Sequence, residues 1–386
     1  VRHAYLDHAS AAPLDPRVRE AMLPYLDAEP GSPASLHAWG RAPADALARA
    51  RADVAALVGA EPEEVLFTSG SSEARALAIR GILHAAGGGA AVATALEHPA
   101  TLASLRAEGV ATTLVGCDGE GRVAPDALAE AVGPETALVC LHHGQAEIGT
   151  VQDAAALVAA ARSRAPEARV HLDAGATAGL LPLDVRALDV DALSLDGTPM
   201  SGPAWVGALW LRPGVALAPL VPGGAQERGL RAGAEAVPAI AGLGAAARLA
   251  ITEGPQRAAR MSALADRLAA GLLAVPRVRR NGPDRGGVPG LVSVAVGDVE
   301  GETLVLALAA RGVAAAPGAV CLPDARKTAP ALEAIGLEPP WTHSAVLFTL
   351  GPGTTEAEVD HAIGAFAEAV AALREMSPVA ADPGGR

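Results

Sequence analysis

Between Glu64 and Leu211 the chain alternates short apolar runs with stretches of helical periodicity, an order that few folds accept. The runs Glu64–Ser69, Ala90–Thr94, Thr112–Gly116, Ala137–His142, Arg169–Asp173, Ala192–Asp196 and Val206–Leu211 read as strands. Most are followed by amphipathic residues, as in Ser71–Ala86 and Asp153–Arg164. Such alternation predicts an α/β fold with a mainly parallel, seven-stranded sheet between helices. The large domain is expected over 15–250. A smaller α+β domain is expected from 1–14 and 251–376, where a long Ala/Arg/Leu helix precedes the strand-like Gly290–Val296 and Ala345–Leu350 and a closing helix near Thr355–Leu373. The Pro/Gly/Ala-rich tail 377–386 is expected to be disordered.

The 386 residues are enough for two cores. Only 2% are aromatic while 51% are hydrophobic, so the interior has to be built from closely packed Ala, Val and Leu. A net charge of −13 with no basic run argues against nucleic-acid binding. No segment has the apolar length of a membrane span and the N-terminal residues lack a signal-peptide apolar core, which gives the expectation of a soluble, cytoplasmic protein. Cys117, Cys140 and Cys321 match no metal or disulfide spacing. The single lysine, Lys327, is the one side-chain amine the chain can offer.

Three stretches could carry chemistry. In Phe67–Glu73 a strand gives way to a helix near Ser71, and the free N–H groups there, with the Ser71 and Ser72 hydroxyls, make either an anion site or an ordinary serine cap. Asp173 stands at the C-terminal end of a buried strand, where open α/β sheets bind ligands, and either pairs with a protonated ring nitrogen or caps the strand end. His98 lies just before a helix, as a stacking group for a flat ring or as a cap.

Taken together these stretches resemble the cysteine desulfurase family, within the class V aminotransferases and the fold-type-I pyridoxal-phosphate (PLP) enzymes. The resemblance runs through Tyr5-Leu6-Asp7, Asp15-Pro16-Arg17, Gly31–Ser35 with His37, Phe67–Glu73, Glu97-His98, Glu147-Ile148-Gly149, Asp173-Ala174, Gly202-Pro203, Gly207–Leu209, Glu227–Gly229 with Arg231 and Gly233, Cys321, and His343-Ser344 before Leu350-Gly351. It implies that Ser72, beside Ser71, stands where a threonine holds the PLP phosphate, His98 where a histidine stacks on the ring, and Asp173 where an aspartate meets the pyridine nitrogen. Cys321 falls on the mobile-loop cysteine that carries persulfide in the family. A dimer is implied too, with itself or with an active paralogue, and a sulfur-acceptor protein as partner.

The departures gather on that same site. The family's His-Lys pair, whose lysine forms the PLP imine, aligns with Thr198-Pro199, and the phosphate-binding serine before it with Asp196. Two unit charges about 4 Å apart repel by roughly 4 kcal/mol at an effective dielectric of 20, so Asp196 opposes a phosphate. Ala176, Gln145-Ala146 and Ala234 replace further cofactor-side groups, while Ser32 and Leu347 replace the asparagine and arginine that hold the substrate carboxylate. Without the imine lysine both the covalent tether and the general base are missing. The expectation is therefore a desulfurase-like protein without turnover, PLP lost or held weakly and non-covalently, acting as a binding or regulatory partner in sulfur transfer. Two alternatives keep it an enzyme: an imine formed by Lys327, or a PLP-independent site rebuilt from Asp173, Asp196, His98 and His143, whose residue types suit a divalent metal although their spacing matches no ligand motif.

Overall fold

The computed structural model describes residues 3–26, 31–318 and 330–376. Strand β1 (Ala4–Tyr5) and helices α1 (Pro16–Leu26) and α2 (Ala38–Leu57) precede the alternating region. There β2 (Val65–Thr68), α3 (Ser71–Ala86), β3 (Ala90–Thr94), α4 (Pro99–Glu108), β4 (Thr112–Val115), α5 (Pro125–Ala131), β5 (Thr136–His142), α6 (Ala154–Arg164), β6 (Arg169–Asp173), β7 (Ala192–Asp196) and β8 (Gly207–Leu211) follow in turn. The seven strands form one sheet in the order β2-β8-β7-β6-β5-β3-β4. Every pair from β7 to β4 is parallel, while β8 runs antiparallel to both β7 and β2. The exception follows from connectivity: residues 197–206 return the chain directly to the neighbouring position, with no crossover helix to reverse it again.

Strands β5 to β8 are buried almost throughout, as strands covered by helices on both faces must be. With so few rings available, helices come close instead. A Cβ on Gly244 would lie 2.5 Å from the Ala50 Cα, so the α2 backbone sits on a helix position that only glycine can fill.

Helix α7 (Val237–Leu273) is continuous over 37 residues, and the boundary expected at 250/251 falls inside it. Its first half, with Val237, Ile240 and Leu243, joins the core that runs from Val18 to Ala250. Its second half, with Leu264, Leu268 and Leu272, joins a separate core with Ala4, Leu6, Phe348 and Phe366. This part of the chain comprises β9 (Val278–Asn281), β10 (Leu291–Val296), α8 (Gly301–Ala309), β11 (Val313–Ala314), β12 (Ala316–Pro317), α9 (Pro330–Ala334), β13 (Ala345–Thr349) and α10 (Glu356–Met376), with a four-stranded antiparallel sheet, β12-β13-β10-β9, while Ala331 and Leu332 of α9 join a small separate cluster with Leu96 and Ile148. Strand β1 pairs with β11, which ties the beginning of the chain to this part. Among the described residues no helix is long and apolar enough to cross a membrane.

Candidate functional site

The C-terminal ends of β2, β3, β5, β6 and β7 open on one side of the sheet, and a cavity of about 590 Å³ lies against them. Ser71, Ser72, His98, Asp173, Asp196 and Pro199 all line it. Six side chains from four separate stretches of sequence thus meet where parallel sheets place their ligands. Cys321 and Lys327 lie outside the described residues.

Helix α3 starts beside the cavity because Gly70 takes φ 146°, a conformation that side-chain-bearing residues rarely adopt. A Cβ on Gly207 would lie 2.5 Å from the Gly70 carbonyl carbon, so the start of β8 presses on this turn. Gly70, not a serine, is the N-cap, which corrects the reading of Ser71 as an ordinary cap. The Ser71 hydroxyl instead donates to Asp196 Oδ2 at 2.5 Å, and the Thr198 N–H donates to Asp196 Oδ1 at 2.9 Å.

The residue that organises the floor of the cavity is Arg75. Its Nε donates to Asp173 Oδ2 at 2.7 Å and its Nη1 donates to Ser71 Oγ at 3.2 Å. The other Asp173 oxygen accepts from the Gly175 N–H at 3.0 Å and from Ser194 Oγ at 3.3 Å. The two side chains are only 6% and 7% exposed. Burial pushes the Asp173 carboxyl up, but the adjacent guanidinium and its hydrogen bond outweigh that and hold it down at about 2. Burial likewise works against the Arg75 charge, and Asp173, followed by Asp196, more than restores it. A continuous chain of contacts therefore runs from Asp173 through Arg75 and Ser71 to Asp196 and the Thr198 amide. Asp196 itself is pushed up by burial, against the pull of Ser71, Thr198 and Arg75.

His98 is the N-cap of α4, its Nδ1 accepting from the Ala100 N–H at 3.0 Å just ahead of Pro99. Burial, then the nearby Arg75, lowers its pKa to about 4, so the ring is neutral and its remaining proton lies on Nε2. The capping role and the place in the cavity wall coexist. Glu97 accepts from Thr94 Oγ1 at 3.0 Å and meets His142 Nδ1 at 3.1 Å, while its other oxygen is buried with no protein partner. Glu147 faces the same cavity with its carboxyl pushed up to about 7 by burial.

His143 does not line the cavity; its Nδ1 lies 2.9 Å from Thr177 Oγ1. The four residues of the metal reading are therefore not assembled: Asp173 is engaged by Arg75, and His143 is turned away. Among the described residues no group of three or more His, Cys, Asp or Glu side chains could hold a metal ion.

From Asp196 the chain enters a 3-10 turn at Thr198–Met200, and Ser201 follows with φ 55°. Gly202 lies against Gly197 closely enough that a Cβ would be 3.0 Å from the Gly197 carbonyl oxygen. Pro199 projects to the cavity from this turn, and no amine stands at its position. Across the cavity, Leu347 of β13 is 1% exposed in a small apolar cluster with Val288, Leu291 and Ala316.

Sequence reasoning missed Arg75. The signal was available in its spacing: Arg75 follows Ser71 by four residues and therefore shares its helix face, directed at the strand end that carries Asp173. The His142–Glu97 contact had no such local sign, since it joins residues 45 apart.

The aminotransferase class-V family model matches residues 4–361. A cysteine desulfurase of Cereibacter sphaeroides is 40% identical over 389 residues, covering 99% of this chain and 99% of that protein. Cysteine desulfurase IscS of Anaeromyxobacter sp. (strain K) is 39% identical over 386 residues, covering 97% and 94%. Among solved structures, one titled NifS-like protein superposes with a TM-score of 0.89 at 28% identity, covering 96% of this chain and 100% of that one.

Proposed function

The chain belongs to the class V aminotransferase family, in its cysteine desulfurase branch and with the fold-type-I PLP-transferase architecture, and from that premise we propose that it has given up desulfurase turnover and serves sulfur transfer by binding. One observation carries this reading: Pro199 lines the cavity, at the position that the family resemblance gives to the imine lysine, and the single lysine of the sequence is residue 327. Proline offers neither the amine that forms the imine nor the base that moves the substrate proton.

The residues present do not fit PLP. Asp173, which would receive the ring nitrogen, has both oxygens engaged by the chain itself. By the family resemblance Asp196 takes the place of a phosphate-binding serine, and its carboxylate beside Ser71 repels a like charge. On the substrate side, Leu347 sits in an apolar cluster and offers no cation to a carboxylate. The proposal therefore includes no chemical step through that cofactor. The binding role extends to a dimer, with itself or with an active paralogue, to a sulfur-acceptor protein, and to a cytoplasmic setting, with Cys321 as the residue that would relay sulfur.

Incubation of the purified protein with PLP and cysteine tests this. The expected result is no visible imine band, no alanine and no sulfide. Alanine formed in step with sulfide ends the proposal, and borohydride reduction followed by peptide mapping then shows whether Lys327 is the amine.

A further inference from the structure

The buried Arg75–Asp173 pair and the Ser71–Asp196 contact are two ends of one network, and the network has the charge pattern of the missing group. Asp173 needs a planar nitrogen cation, because a buried carboxylate without a partner is strongly penalised. Arg75 supplies one at 2.7 Å, from inside the chain. The first turn of α3 favours an anion through its free amides and dipole. Asp196 supplies one, through the Ser71 hydroxyl. The room for the guanidinium is itself built in: a Cβ on Gly175 would lie 2.4 Å from Arg75 Nη2. His98 lines the same cavity as Arg75 and, being neutral, adds no competing charge.

We infer that Arg75 and Asp196 form a built-in occupant of the cofactor niche, the guanidinium in the place of a protonated ring nitrogen and the carboxylate in the place of a phosphate. The inference rests on the reading above for the identity of the niche. It goes further in saying that the two charged anchor points of the niche are already engaged by the chain, not merely that its lysine is gone. The strand ends and the start of α3 are then held in position with no external molecule. The ligand class excluded is the phosphorylated pyridines, which would have to displace both ends at once. The class admitted once Arg75 is shortened is a planar nitrogen cation small enough to reach Asp173.

Pyridoxamine phosphate is the probe of choice, since its binding needs no lysine at 199. Titrations monitored by its own fluorescence should show no saturable binding to the wild type and saturable binding to Arg75→Ala/Asp196→Ser, a gain of at least about tenfold in affinity. Methylguanidinium should raise the melting temperature of Arg75→Ala more than that of the wild type. If the alanine variants do not fold, Arg75→Gln with Asp196→Ser carries the same titration. Saturable binding by the wild type overturns the inference, and so does a folded double variant that binds no better than the wild type. Pyridoxamine phosphate bound by the wild type with no alanine made from cysteine overturns this inference alone. Turnover of cysteine with no pyridoxamine phosphate bound overturns only the proposed loss of activity.

Discussion

Two walls of the cavity differ in how they deal with charge. At the strand ends, Asp173 is a buried acid and Asp196 a partly buried one, and each is answered by a partner from α3, Arg75 or Ser71. On the wall from β12 and β13, Leu347 and Ala316 pack with Val288 and Leu291, and that cluster holds no charge to answer. One wall holds its charges by pairing and hydrogen bonding; the other holds no charges at all. The difference teaches where single substitutions will hurt. A paired wall fails when one partner leaves, since the other is stranded, whereas an apolar wall fails only in proportion to the volume removed.

The largest effect expected is therefore at Arg75. Arg75→Ala leaves the Asp173 carboxylate buried with only its Gly175 and Ser194 contacts. A loss of about 3–5 kcal/mol is expected, read from urea or guanidinium unfolding at neutral pH. Arg75→Ala/Asp173→Asn should recover part of it, because the stranded charge is gone. A single variant as stable as the wild type would break the comparison, since the strand-end wall would then not depend on pairing.

On the opposite wall, Leu347→Ala is expected to cost about 2–4 kcal/mol, and Leu347→Met less than about 1.5 kcal/mol, because volume is what counts there. If Met costs as much as Ala, shape and not volume governs the cluster.

Glu147 lines the same cavity, and its carboxyl, raised by burial to about 7, gives the comparison a pH axis. Its unfolded value is near the ordinary 4.5. Below that value both states are protonated and the residue is neutral in stability. Between about 4.5 and 7 the folded state keeps a proton that the unfolded state has released, so stability falls as pH rises, and above about 7 the cost is constant. Glu147→Gln should match the wild type near pH 4 and exceed it by roughly 3 kcal/mol at pH 8. Asp173 acts in the opposite sense: held down at about 2, it contributes stability above its ordinary 3.8 that is lost as pH falls through about 2. Equal pH profiles for Glu147→Gln and the wild type would remove the buried acid from the account.

Most of the sheet was legible in the sequence, because buried strands read as apolar runs and the helix periods between them are strong. Strand ends fall within a residue of expectation at β3, β6 and β7. The direction of β8 was not legible, since apolar content is the same in either sense and the reversal comes from the turn at 197–206. The early start of α7 at Val237 was also hidden: one helix serves two cores, and composition shifts only where its partners change. At the site, Ser71, Ser72, His98 and Asp173 could be found one by one, because each stands at the end of an element. Arg75 could not be weighed in that way. An arginine on a helix is usually a solvated side chain, and only the position of Asp173 directly beside it makes it a buried partner.

The smallest effect expected sharpens the comparison most, because it separates charge from hydrogen bonding at the strand-end wall. Asp196→Asn keeps an oxygen to accept from the Thr198 N–H, while its amide NH2 can donate to Ser71 Oγ in place of the bond that the carboxylate accepted. Burial already opposes the charge of Asp196, and the attraction of Arg75 offsets part of that cost, so stability should change by less than about 1 kcal/mol. What changes is the field at the start of α3. Without a carboxylate there, the helix terminus gains about 0.3–1 kcal/mol of preference for an external anion. Unfolding midpoints measured in phosphate and in chloride at equal ionic strength should then diverge more for Asp196→Asn than for the wild type. If the two proteins respond alike, the carboxylate is not what fills the helix start, and Asp196 plays no part in how the strand-end wall handles charge.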